Sequence, residues 1–130
     1  FSLALMFGMG FALPAMADCD DPQNQVEMNQ CAFAAFETAD AELNTVYQQL
    51  IGRIDERYVA SLRAAQRAWV PFRDAQCDFE SMGWEGGSGR PMIQSGCLRR
   101  VTEERTLLLR ALLTCDPETS EGDIECPPKP

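Results

Sequence analysis

Six cysteines and no histidine in 130 residues set the limits on what this chain can do chemically. Without His there is no Ser–His or Cys–His nucleophile pair and no imidazole metal ligand. An even, dense set of cysteines reads as a disulfide framework in an exported chain. Paired cysteines leave neither a thiolate nucleophile nor zinc ligands, and the Cys-x-x-Cys spacing of redox proteins is absent. The acids offer little more. Adjacent helical residues such as Glu103 and Glu104 point about 100° apart, so they cannot flank one scissile bond. Asp18, Asp20 and Asp21 lack the Gly and the distal Glu of a calcium loop. They read as a solvated face or helix start. We therefore expect no catalytic residue, no metal and no cofactor, and a chain that is not an enzyme. With 11 basic against 20 acidic residues the net charge is -9, which disfavours nucleic acid and favours a basic partner.

The residues best placed to meet a partner are in Gly83-Trp84-Glu85-Gly86-Gly87-Ser88-Gly89-Arg90-Pro91, a loop by composition. Its glycines allow close backbone approach, and Ser88 and Arg90 offer donors. Trp84, Gly86, Gly87, Ser88 and Arg90 are the candidate partner-binding set. A phosphate-binding loop is excluded because no Gly-Lys-Ser/Thr follows. The competing reading is purely structural: Ser88 caps the next helix and Trp84 packs on the body of the domain.

Three elements must hold that loop. Phe1 to Ala17 is uncharged, nearly all apolar, and ends Pro14-Ala15-Met16-Ala17. It reads as the later part of a signal peptide, too short to span a bilayer, and Ala17-Asp18 before Cys19 does not suit lipid attachment. Export to the periplasm or the medium follows. Next, Asn24 and Glu27 form a capping-box pattern. Met28, Ala32, Ala35, Ala39, Leu43, Val46, Leu50 and Ile54 then recur at helical spacing, predicting a helix over 24–55. A second stripe of Leu62, Ala65, Trp69, Phe72, Gln76 and Phe79 predicts a helix over 58–82, with Pro71 bending it. No turn signal is read between these two helices. A third, over 92–114, carries Ile93, Cys97, Val101, Leu108 and Leu112, widened by Leu107, Leu109 and Leu113. Residues 115–130 form an irregular, acidic, Pro-containing tail. The expectation is an all-α, antiparallel three-helix bundle over 18–114, stapled by disulfides.

Antiparallel geometry supplies contacts. With a turn near position 56, Asp40 lies opposite Arg73, Asn44 opposite Trp69 and Tyr47 opposite Gln66. With a turn near Gly87, Cys77 lies opposite Cys97 and Trp69 opposite Arg105. Asp40, Asn44, Gln66, Arg73 and Arg105 are thus expected to form a polar network that fixes helix register. Cys115–Cys126 follows from proximity, and Cys19–Cys31 from what remains. Its rival, Cys31–Cys77, is offset by about five residues, or roughly 7 Å along the axis, beyond comfortable disulfide reach.

Several strings resemble a known family. They are Glu27-Met28-Asn29-Gln30-Cys31-Ala32, then Ala39-Asp40 with Leu43-Asn44 and Tyr47. Gln66-Arg67-Ala68-Trp69 follows, with Phe72-Arg73-Asp74-Ala75 and Cys77. After Gly86-Gly87-Ser88 come Pro91-Met92, Cys97-Leu98, Thr102 and Arg105. In order and spacing they resemble the LprI-type lysozyme-inhibitor domain, over about Cys19 to Leu113. The resemblance implies a helical secreted or periplasmic bacterial domain. As partner it implies a lysozyme or other muramidase, blocked at its cleft, with Ser88 and Arg90 meeting the target's carboxylates. The alternative is a periplasmic interaction or envelope-maintenance protein that binds no lysozyme.

Overall fold

The computed structural model describes residues 17–118 and 125–130. The expected signal segment falls almost entirely outside them. Among the described residues the chain is all-α, with α1 at Gln25–Ile51, α2 at Glu56–Glu80 and α3 at Arg90–Leu113. A single 3-10 turn at Met82–Trp84 follows α2. No described helix is long and apolar enough to cross a membrane.

Each helix starts and stops for a local reason. The Asn24 side chain accepts the Glu27 amide at 2.9 Å, and Glu27 reaches back to the Gln23 amide at 2.7 Å. These bonds satisfy donors that the first helical turn leaves free. α1 stops at Ile51, earlier than expected, because Gly52 caps it and the chain turns at once. Asp55 then caps α2 by accepting the Arg57 amide. The turn signal is thus Gly52 followed by Asp55, inside the span that the apolar stripe assigns to the first helix. α2 is continuous through Pro71 to Glu80. α3 begins two residues earlier than expected, with Pro91 in its first turn, where a missing N–H costs nothing.

The helices run up, down and up. α1 and α3 are therefore parallel, and α3 is the chief neighbour of α1. Gln25 meets Met92 and Glu42 meets Arg110, sequence offsets of 67 and 68. That register sets Ala35 level with Thr102 and Ala39 level with Thr106. Ala39, Ser95, Thr102 and Thr106 are all buried. Small side chains let the two backbones approach closely. The Thr106 hydroxyl donates to the Thr102 carbonyl at 3.0 Å, so its burial leaves nothing unpaired. Farther along, Leu43, Val46, Leu50, Ile54, Val59 and Leu109 form the main core. Most of the predicted α1 stripe points inward.

The α2 and α3 stripes require correction. Phe72 and Phe79 are 60% and 68% exposed. The inward face of α2 runs instead through Val59, Leu62, Gln66, Trp69, Arg73 and Cys77, which are buried or half-buried. A buried arginine occupies the position that an apolar pattern assigns to phenylalanine. On α3, Leu107 and Leu108 face solvent, because its inward surface must serve two helices and does so with Ser95, Thr102 and Thr106.

Three disulfides staple the bundle: Cys19–Cys31, Cys77–Cys97 and Cys115–Cys126. The last ties down the tail, whose Pro128 carbonyl accepts the Asp55 amide at 2.9 Å. The tail thereby seals the α1–α2 turn. Beside it lies a concavity of about 600 Å³ between Leu50, Ile54, Leu112 and Pro127.

Candidate functional site

The polar residues singled out on the helices do not form one network. Arg73 is the centre of the larger part. Its Nη1 donates to Asp40 Oδ1 at 3.0 Å and approaches Thr102 Oγ1 at 3.4 Å, while Nε donates to Asp74 Oδ1 at 2.9 Å. Its Cζ stands 5.2 Å from the Phe36 ring centroid and 5.1 Å from that of Trp69. A cation held over aromatic faces gains about 0.5–2 kcal/mol per contact, most when dry. Arg105 forms the smaller part: Nε donates to Gln66 Oε1 at 3.0 Å, and Cζ lies 5.8 Å from the Trp69 ring. Burial pushes the Arg105 guanidinium pKa down from its ordinary value, because desolvation disfavours the charged form. Trp69 is the shared wall between the two groups.

Asn44 departs from the expectation. It is exposed on α1 and belongs to neither group. The bonds to Asp40, Thr102 and Gln66 join different helices, while Asp74 neighbours Arg73 on α2 and is exposed. This arrangement ties α1, α2 and α3 together. Asp74 and Thr102 were missed as partners. Their signal was faint: an acid following Arg73, and a Thr where a helix packs closely.

The loop is different, because it faces solvent. Trp84, Glu85, Gly86, Gly87 and Ser88 are all exposed, and they sit between the ends of α2 and α3. The base beneath them is stiff. Cys77–Cys97 joins the two helices, the wholly buried Ser81 donates its hydroxyl to the Asp78 carbonyl at 3.2 Å, and Asn29 Nδ2 of α1 donates to the Ser88 carbonyl at 2.9 Å. Across the same junction Arg100 reaches both carboxylate oxygens of Glu80, at 2.9 and 2.7 Å. A hydrogen bond from Gln76, then one from Arg100, lowers the Glu80 pKa.

Three loop expectations need correction. Ser88 does not cap α3: Gly89 occupies the cap position and no side chain bonds there. Trp84 is not packed away; it is 52% exposed, with one ring edge over Gly89. Arg90 is half-buried, its Nε turned toward Ser81 Oγ at 3.5 Å. The glycines also have internal reasons. Gly86 has φ +76°, a backbone conformation that side chains resist. A Cβ at Gly87 would lie 3.1 Å from the Trp84 carbonyl oxygen.

The described residues thus form a helical, disulfide-stapled domain with an exposed loop between α2 and α3. The family model for the lysozyme inhibitor LprI matches residues 16–109. This chain belongs to the LprI family, an inhibitor family rather than an enzyme family. An uncharacterized protein of Rhizobium meliloti (strain 1021) is 38% identical over 109 residues, covering 74% of this chain and 78% of that protein. No solved structure matches the chain.

Proposed function

We propose that this protein is a periplasmic or secreted inhibitor that blocks the cleft of a muramidase. Family membership over residues 16–109 carries the reading. Charge and shape support it. Muramidases cleave with two carboxylates in a cleft, and many are basic. A chain of net charge -9 is steered toward such a target. The Trp84–Ser88 projection stands on a disulfide-braced base, so little conformational entropy is lost when it docks. Ser88 supplies an exposed hydroxyl at its tip. Arg90, half-buried against Ser81, acts mainly as a brace for the loop.

The test is lysis of a cell-wall suspension by a basic lysozyme with increasing amounts of the purified, oxidised domain. The reading requires dose-dependent inhibition that saturates at one domain per enzyme. If the protein leaves lysis untouched while pulling down other envelope proteins, the envelope-interaction reading takes its place.

A further inference from the structure

Phe79, Met82 and Trp84 are 68%, 60% and 52% exposed. They fall within six residues, at the end of α2 and on the 3-10 turn that leads into the loop. Large apolar side chains exposed this close together in the chain mark a place where something can dock. The chemistry here is that of an interface centre: Trp, Phe and Met are enriched there, and Lys and Glu are pushed to the rim. The rim is present as well. Glu85 follows Trp84 directly and is exposed, while Glu80, between Phe79 and Met82, is already paired with Arg100. The mount is rigid, since Cys77, two residues before Phe79, is wholly buried in its disulfide with Cys97. Large apolar side chains held out on a braced turn, beside carboxylates and on a strongly acidic chain, suit a partner that offers an apolar depression ringed by cations.

We propose that Phe79, Met82 and Trp84 are the anchor by which this protein docks on a basic muramidase, with Glu85 and the net acidity of the chain orienting the encounter. This rests on the inhibitor reading and deepens it. The apolar anchor supplies the residence time, while the loop donors add little. An apolar centre controls dissociation and rim charges control association, so the two contributions separate kinetically.

The experiment compares three forms of the full oxidised domain against one basic lysozyme: wild type, the anchor variant Phe79→Ser/Met82→Ser/Trp84→Ser, and a control variant Phe72→Ser/Leu107→Ser. The control removes exposed apolar residues of α2 and α3 away from the turn. Lysis inhibition and surface-plasmon kinetics are measured, with thermal melts confirming that each form folds. The single variant Trp84→Ala stands in should the triple change fail to fold. The anchor variant is expected to lose at least about 100-fold in inhibition, mostly through faster dissociation, and the control to change less than about threefold. Raising salt should slow association of wild type and leave its dissociation rate nearly unchanged. If wild type inhibits and the anchor variant inhibits within about threefold of it, the anchor is overturned and the inhibitor reading stands. Equal weakening of anchor and control variants also overturns it. If wild type neither binds nor inhibits, both fall.

Discussion

Removing Asp40 should cost less than its position opposite a buried arginine suggests. A buried charge stripped of its only partner costs about 3–5 kcal/mol. Here Arg73 has a side-chain exposure of 9%, but Asp40 is 40% exposed, and Arg73 keeps Asp74 on its Nε when Asp40 is gone. Both aromatic faces and Thr102 also remain. One charge-assisted hydrogen bond, discounted for solvent on the acid side, leaves about 1–2 kcal/mol for Asp40→Ala. The double change Asp40→Ala/Asp74→Ala leaves Arg73 without an anion and should cost about 3–5 kcal/mol, more than the two single changes together. Urea denaturation followed by circular dichroism measures all three. For a domain of this size 1 kcal/mol shifts the melting temperature by about 4 °C, so calorimetry gives an independent check. A double variant within about 0.5 kcal/mol of wild type would refute the reasoning, because Arg73 would then need no anion and the three-helix tie would be elsewhere.

Other outcomes follow from the same contacts. Replacing Cys77 and Cys97 with Ser opens a link of sequence separation 20 and should cost about 2–4 kcal/mol in urea, on the loop-entropy account whose mechanism is disputed; it should also loosen the loop, seen as faster amide exchange at Trp84–Ser88. Asn24→Ala removes a real cap and should cost about 1 kcal/mol, whereas Ser88→Ala removes none and should stay within about 0.5 kcal/mol. Glu80 should titrate below the ordinary carboxylate range by carbon-detected NMR, and Gln76→Ala should move it back up. The sign is that of a depressed acid. Its contribution is present above the unfolded carboxyl pKa and is lost as pH falls through the lower folded value, so a midpoint above the ordinary range would be wrong.

The bundle was legible because its stronger signals are patterns: an apolar repeat along α1, a capping pair at Asn24 and Glu27, a run of glycines before α3. The Cys77–Cys97 pairing came from antiparallel register alone, and the Asp40–Arg73 pair from the same argument. What stayed hidden has a common physical cause. Hydrophobic periodicity assumes that inward means apolar, yet Arg73 points inward and Phe72 and Phe79 point outward. The parallel α1–α3 contact is built on Ala, Ser and Thr, which carry almost no hydropathy signal. The loop was found by composition, but composition could not separate its exposed side chains from the residues doing backbone work. Gly86 is there for its positive φ, and Arg90 turns back toward Ser81. Phe79 and Met82 went unnoticed as surface residues because one was counted as core and the other stood at a helix end.

The measurement closest to the central claim is competition for the muramidase cleft. A chitin trisaccharide that fills the substrate subsites is titrated into the enzyme while the inhibition constant of the oxidised domain is determined. Cleft blockage predicts an apparent constant that rises linearly with trisaccharide concentration, with no ternary complex by native mass spectrometry. An inhibition constant indifferent to saturating trisaccharide, or no inhibition up to about 100 µM domain, weaker than a specific interface should be, would contradict it.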